Sequence, residues 1–269
     1  MRRCLAMLAA LALSAAFLGQ ATAVELKNPR STYGPLGAVR SNTKFLPGDY
    51  LFMTYDIDGL QIDAKSGKCN YKTVLELFDS QNKVIFKKET PNEVVPQLGG
   101  SRLPGDLHVI MGRSQAPGKY NVRLTVIDNL GKDGKSFLYP FEIVPPTFGL
   151  VGVTAPAVGF PGQPYSAQFA MVNLTLDGKK MPSVDITMRI LDESGTKQVA
   201  APVFSNLPRD LPEEINLQKE NFVPMQFPIY LNRAGRFTID IEAVDKNANK
   251  KASLRYSLTV LDLGSVLGN

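Results

Sequence analysis

Apolar and polar residues alternate with a period of two along much of this chain of 269 residues. Tyr120, Val122, Leu124 and Val126 fall on one side of an extended segment, with Asn121, Arg123 and Thr125 on the other. Phe237, Ile239, Ile241 and Ala243 repeat that apolar side, opposite Thr238, Asp240 and Glu242. Successive side chains of a strand point to opposite faces, so this alternation marks half-buried strands. On the same grounds strands are predicted over 50–57, 71–78, 84–88, 106–111, 119–128 and 137–144, with one or two weaker ones before residue 45. A second series is predicted over 148–153, 165–176, 184–191, 198–204, 222–231, 236–245 and 253–261. Short strands bounded by turn residues, without a convincing helical period, predict an all-β chain of two tandem antiparallel sandwiches.

The two series resemble each other. Phe45-Leu46-Pro47-Gly48-Asp49-Tyr50 is answered by Phe160-Pro161-Gly162-Gln163-Pro164-Tyr165, and Leu77-Phe78-Asp79-Ser80-Gln81-Asn82 by Ile190-Leu191-Asp192-Glu193-Ser194-Gly195. Gly118-Lys119-Tyr120 is answered by Gly235-Arg236-Phe237, and Asp128 by Asp245. Pro-Gly before an aromatic residue is turn chemistry. Asn82 and Gly195 are the residue types that best tolerate the left-handed conformation of a tight hairpin. An ordered series of such matches predicts a duplicated unit, with the stiff Pro145-Pro146 pair as the connector.

Ahead of the first unit stand Met1-Arg2-Arg3, an apolar run from Leu5 to Leu18 and a small-residue pattern ending in Ala23. These are the parts of a cleavable export signal of bacterial form, and the run is too short for a comfortable membrane span. The expected organisation is a signal peptide over 1–23, a first immunoglobulin-like sandwich over 24–145 and a second over 146–269. The mature protein is expected to be periplasmic or secreted, with no membrane span. Loss of Arg2 and Arg3 lowers Lys+Arg from 30 to 28 against 25 acidic residues, a net charge of +3 in place of +5. That mild, scattered excess does not point to nucleic acid. One cysteine, Cys69, is left after the signal, so burial rather than a disulfide must hold the cores.

On the Pro47-Gly48 entry to an early strand, the hairpin after Asp79, and Gly118-Lys119-Tyr120 opening the long alternating strand to Asp128, each half resembles the immunoglobulin-like or fibronectin-III-like sandwiches of bacterial exported proteins. The chain departs from antibody-type domains, having no Trp and no cysteine pair across the sheets. Tyr120 is placed to form a tyrosine corner, which Phe237 lacks the hydroxyl to make. The resemblance implies a non-enzymatic extracytoplasmic protein that binds or scaffolds through loops and sheet edges, with a protein or an envelope or cell-surface component as partner. The alternatives are a periplasmic chaperone of the pilus type, using Phe137, Tyr139, Phe141 and Ile143 as an apolar strand, or an accessory module of an exported enzyme.

The chemistry on offer is sparse. The single histidine, His108, is expected to face outward between Leu107 and Val109, and no catalytic constellation or cofactor motif is evident. Asp56, Asp58 and Asp63 form the one cluster of oxygen ligands that a returning loop would gather for calcium. Cys69 is expected to be a small, partly buried residue, with Lys65, Lys68 and Lys72 near enough in sequence to lower its pKa. Two long connections, 89–105 and 205–221, hold corresponding places in the two units. Val94, Val95 and Leu98 in the first, and Leu207, Arg209 and Leu211 in the second, are the candidate partner contacts.

Overall fold

A computed structural model describes residues 23–211, 215, 217, 221–262 and 264; the signal peptide expected over 1–23, apart from Ala23, lies outside the described residues. The first unit is built from β1 (Glu25–Thr32), β2 (Lys44–Phe45), β3 (Tyr50–Asp58), β4 (Cys69–Phe78), β5 (Val84–Val94), β6 (Leu103–Ile110), β7 (Gly118–Asp128) and β8 (Asp133–Ile143). The second contains β9 (Gly149–Thr154), β10 (Val158–Gly159), β11 (Pro164–Val172), β12 (Val184–Leu191), β13 (Val203–Leu207), β14 (Phe222–Tyr230), β15 (Gly235–Asp245) and β16 (Lys250–Val260).

Strand order shows the duplication directly. A three-stranded sheet β1-β3-β6 faces a five-stranded sheet β2-β8-β7-β4-β5, and β9-β11-β14 with β10-β16-β15-β12-β13 repeats the arrangement strand for strand. Pairings are antiparallel except where the short β2 and β10 run parallel to the ends of β8 and β16. Three strands against five, with the last strand flanked by a short parallel one, is the order of an immunoglobulin-like or fibronectin-III-like sandwich. The period-two residues lie where alternation puts them: Val122, Leu124 and Val126 are buried in the first core, and Ile239, Ile241 and Ala243 in the second.

The paired turns behave alike. Gly48 and Gly162 both have positive φ, +89° and +80°, where any other L-residue would be strained. Asn82 and Gly195 take φ of 59° and 69° in hairpins closed by Asp79 and Asp192, whose Oδ1 atoms accept backbone N–H groups from Lys83 and Lys197. The tyrosine corner forms at Tyr120, whose hydroxyl donates to the Ala116 carbonyl at 2.8 Å. At the equivalent Phe237 the residue four positions back, Arg233, lays its guanidinium 4.8 Å from the ring centroid instead.

Several expected boundaries move. The strand expected over 84–88 runs to Val94, and β6 starts at Leu103, so most of the first long connection is strand. β13 begins at Val203, five residues later than expected from the 198–204 reading. The two-residue β10 was not foreseen.

Candidate binding surfaces

The three acidic residues proposed for calcium are held by other partners. Asp56 accepts from Asn28 at 2.8 Å and pairs with Arg102. Asp58 accepts from Lys27 Nζ at 2.9 Å and from the Gly59 N–H. Asp63 caps its own turn, taking the Ser66 N–H at 2.7 Å and the Lys65 N–H. No group of three or more His, Cys, Asp or Glu side chains arranged to hold a metal occurs among the described residues. The reason is strand geometry: Asp56 and Asp58 sit over β1, whose Lys27 and Asn28 reach them first, and Asp63 turns into a separate loop. Cys69 departs from expectation in a similar way. It is fully buried, and desolvation, with the Asp128 charge second, pushes its thiol up rather than down.

The six candidate contact residues divide. Val94, Val95 and Leu98 are exposed. Arg209 is exposed and pairs with its neighbour Asp210 at 2.9 Å. Leu207 is fully buried in the second core and Leu211 packs against that core, which corrects their reading as contacts. The apolar strand proposed by analogy with pilus chaperones is also accounted for. Phe141 and Ile143 are buried, and Phe137 and Tyr139 pack on the first core.

The surface that gathers exposed apolar groups lies where the two sandwiches meet. The segment after β1 leaves the first unit and docks on the second. Ala38 N–H donates to the Ala155 carbonyl at 2.9 Å, Ala155 N–H returns to Tyr33 at 3.0 Å, and Ala157 N–H reaches Leu36 at 3.0 Å. Ala38 and Tyr33 thereby belong to the core of the second sandwich, with the Tyr33 ring 6.4 Å from that of Tyr256. Beside them a buried ion pair ties the joint: Arg40 donates to Asp49 at 2.8 Å, with 9% and 2% of the two side chains exposed. The other Asp49 oxygen accepts the Gly152 N–H of β9 at 3.0 Å, and the Arg40 guanidinium lies 3.9 Å from the Phe45 ring centroid. Leu46 joins Val151, Ala170, Val172 and Phe222 in a small cluster bridging the units.

This joint walls a groove of about 1530 Å³. One side is the outer face of β3 and β6, where Phe52 and His108 pair across the strands and stack 6.3 Å apart with planes 9° from parallel. The other side is Val158 and Phe160 of the second unit, with Leu36 and Val39 at the rim. Leu36, Val39, Tyr50, Ile110 and Val158 are all exposed there. None of the six contact candidates lines this groove. A signal was present in the sequence all the same. In Tyr50–Asp58 the side opposite Leu51 and Met53 starts with Tyr50 and Phe52, where a solvated face would be polar throughout.

No protein-family model and no curated protein sequence matches the chain. Among solved structures it is similar to the C-terminal domain of the Streptococcus pyogenes antigen I/II-family protein AspA, at 9% identity over 89% of this chain and 100% of that one, with a TM-score of 0.32. It is also similar to fibronectin(III)-like modules of Clostridium thermocellum CbhA, at 11% identity over 91% and 97% of the two chains, with a TM-score of 0.25. A third likeness, to red sea bream transglutaminase, has 8% identity and a TM-score of 0.29; it covers 88% of this chain, which spans 31% of that enzyme. Likeness at this level says nothing of activity, and the sandwich architecture is read from the strand order itself.

Proposed function

We propose that this is a non-enzymatic, extracytoplasmic binding or scaffolding protein that seats a protein or envelope component in the groove between its sandwiches. The observation that carries the reading is the convergence of Leu36, Val39, Tyr50, Ile110 and Val158, all exposed, on one concave surface whose walls are fixed to each other. Contiguous exposed apolar surface of this kind is characteristic of interaction sites, and junctions between domains are a common place for them. The export signal read from residues 1–23 supports a role outside the cytoplasm.

The groups that would have served catalysis are engaged in holding the fold. Asp49, Asp128 and Asp245 are buried and accept backbone N–H groups, and His108 stacks on Phe52. The edges formed by β1, β5, β6, β14 and the outer stretch of β8 are poor candidates for recognition too. Pro29, Pro91, Pro104, Pro224 and Pro228 all lie in strands at sheet edges, and Pro140 lies where β8 has passed beyond the reach of β2. Proline cannot donate to an added strand, so such edges resist pairing with another chain. The concave face is the route this reading takes.

The test is a comparison of two baits in the exported fraction. Wild-type protein and a Leu36→Asp/Val158→Lys variant, both checked for native circular dichroism and thermal midpoint, are immobilised and the retained species compared. The expected result is a stoichiometric species retained by the wild type and absent from the variant. Identical recoveries from the two baits would remove the groove from the account.

A further inference from the structure

The two sandwiches differ most in how they treat the gap between their sheets on the side where the fifth and sixth strands of each unit lie. In the second, β13 lasts five residues and the chain then folds inward. Leu207 and Leu217 are buried there, and Leu211 and Ile215 pack against the same core, so the gap is filled by the protein's own chain. In the first, β5 runs for eleven residues and stays paired with β4 as far as Cys69 and Val94. The connection from Val95 to Arg102 leaves Val95 and Leu98 in solvent. The corresponding gap stands open as a cleft of about 680 Å³, a volume typical of ligand sites. It reaches Leu77, Leu107 and Leu124, which are core residues, and is overhung by Ile85 and Phe86.

We infer that this cleft is a second binding site and that it takes a leucine-bearing segment of a partner polypeptide with acidic residues flanking the leucines. The occupant's chemistry is argued from the twin sandwich, where the same gap is filled by Leu207, Leu211, Ile215 and Leu217 in a stretch that also carries Asp210, Glu213 and Glu214. At the mouth of the open cleft the exposed Lys88 of β5 supplies a cation for such residues and is in no ion pair among the described residues, while Asp106 on β6 is the one carboxylate of the lining. Pro91 and Pro104 lie in β5 and β6, the two strands that flank the opening, so the guest is held by side-chain burial and not as an added strand. The cleft shares Tyr55, Pro104, Gly105, Asp106, His108 and Ile110 with the junction groove and is told apart from it by β5, since neither Phe86 nor Lys88 lines that groove.

The probe is a dye-labelled synthetic peptide with the sequence of residues 205–217, titrated against the whole mature protein by fluorescence anisotropy. Saturable binding is expected, with a scrambled peptide about tenfold weaker or worse. Phe86→Asp, at an exposed position, should weaken binding about tenfold, the loss typical of removing a central apolar anchor. Lys88→Glu, equally exposed, should weaken it further as salt is lowered, where the wild type tightens. Leu36→Asp should leave it unchanged, which separates failure of this site from failure of the junction groove. Absence of saturable binding, equal binding by wild type and Phe86→Asp, or occupation of the cleft by dodecanoate but not by the peptide would each overturn the assignment.

Discussion

Asp128 and Asp245 occupy the same place in the two halves of the molecule. Each ends the long alternating strand, each is buried, and each clasps the turn that follows it to the loop after the third strand of its unit. Asp128 accepts the Gln61 N–H at 2.7 Å and the Leu130 N–H at 2.9 Å, and Asp245 accepts Thr175 N–H at 2.9 Å and Asn247 N–H at 3.0 Å. A hydrogen bond to a charged group contributes about 1.5–3 kcal/mol, and loss of the acceptor leaves two part-buried donors without it. Asp128→Ala and Asp245→Ala should therefore each cost about 3 kcal/mol, with Asn in either place costing less because its carbonyl still accepts. Tyr120→Phe, which removes the corner hydroxyl alone, should cost about 1 kcal/mol. Urea denaturation reads all three as a lower midpoint at constant slope. A neutral Asp128→Ala or Asp245→Ala would show that the clasp is incidental to stability.

At the level of the strand, β1 depends on charged side chains as much as on its ladder. Its register slips between Lys27 and Arg30, with Asn28 at a φ of 52°, so the ladder is interrupted midway. Hydrogen bonds from Arg102 and Asn28 hold the Asp56 carboxyl below the usual carboxylate range, and the Lys27 hydrogen bond does the same for Asp58. A folded-state pKa below the unfolded one, about 3.9 for Asp, gives a contribution that is complete above that value and disappears as pH falls through the folded one. Amides of β1 should accordingly lose hydrogen-exchange protection on acidification below about pH 4, ahead of the central strands β7 and β15. The same pairing bears on calcium, which would have to displace Lys27 and Arg102. Melting temperatures in calcium and in EDTA should coincide, and a calcium-dependent rise lost in Asp56→Ala/Asp58→Ala would contradict that. The bulge also explains why β1 was only weakly legible, since it breaks the period of two that betrayed β3, β7 and β15. β5 was cut short at Lys88 because Glu89-Thr90-Pro91-Asn92 has loop composition. It remains a strand through cross-strand pairs, Lys72 with Glu89 and Lys68 with Glu93, which no local pattern announces. Leu207 and Leu98 share that difficulty. Both are leucines beside proline or glycine in a long connection, and what separates core from solvent is whether the preceding strand stops early.

For the molecule as a whole, the decisive question is whether two sandwiches behave as one body, because the junction groove exists only at their present angle. Sequence alternation reports on each sandwich separately, so the groove could not be read from it; nothing local to Asp49 announced that, paired with Arg40 in its own unit, it would also take the Gly152 N–H across the joint. The structure answers with a pair of charges removed from water, satisfied by each other, by the Tyr50 and Gly152 N–H groups and by the Lys44 carbonyl. Deleting one member of a buried pair is far more damaging than the pair is stabilising, because the partner keeps its desolvation cost without its counter-charge; the loss is about 3–5 kcal/mol. Asp49→Ala leaves Arg40 in that position while also freeing the Gly152 N–H of β9. Since both losses fall at the joint and neither core loses an apolar contact, the damage should appear as uncoupling. The wild-type protein is expected to unfold in a single calorimetric transition. Asp49→Ala should split this into two, and small-angle scattering should show a larger radius of gyration before the first. Any ligand of the groove should then bind the variant more weakly, while the peptide directed at the β5–β6 cleft, which belongs to one sandwich alone, should bind as before. If Asp49→Ala melts in one transition with unchanged scattering, the ion pair is not what sets the angle, and the backbone exchange between Tyr33–Ala38 and Ala155–Ala157 must hold the units together unaided.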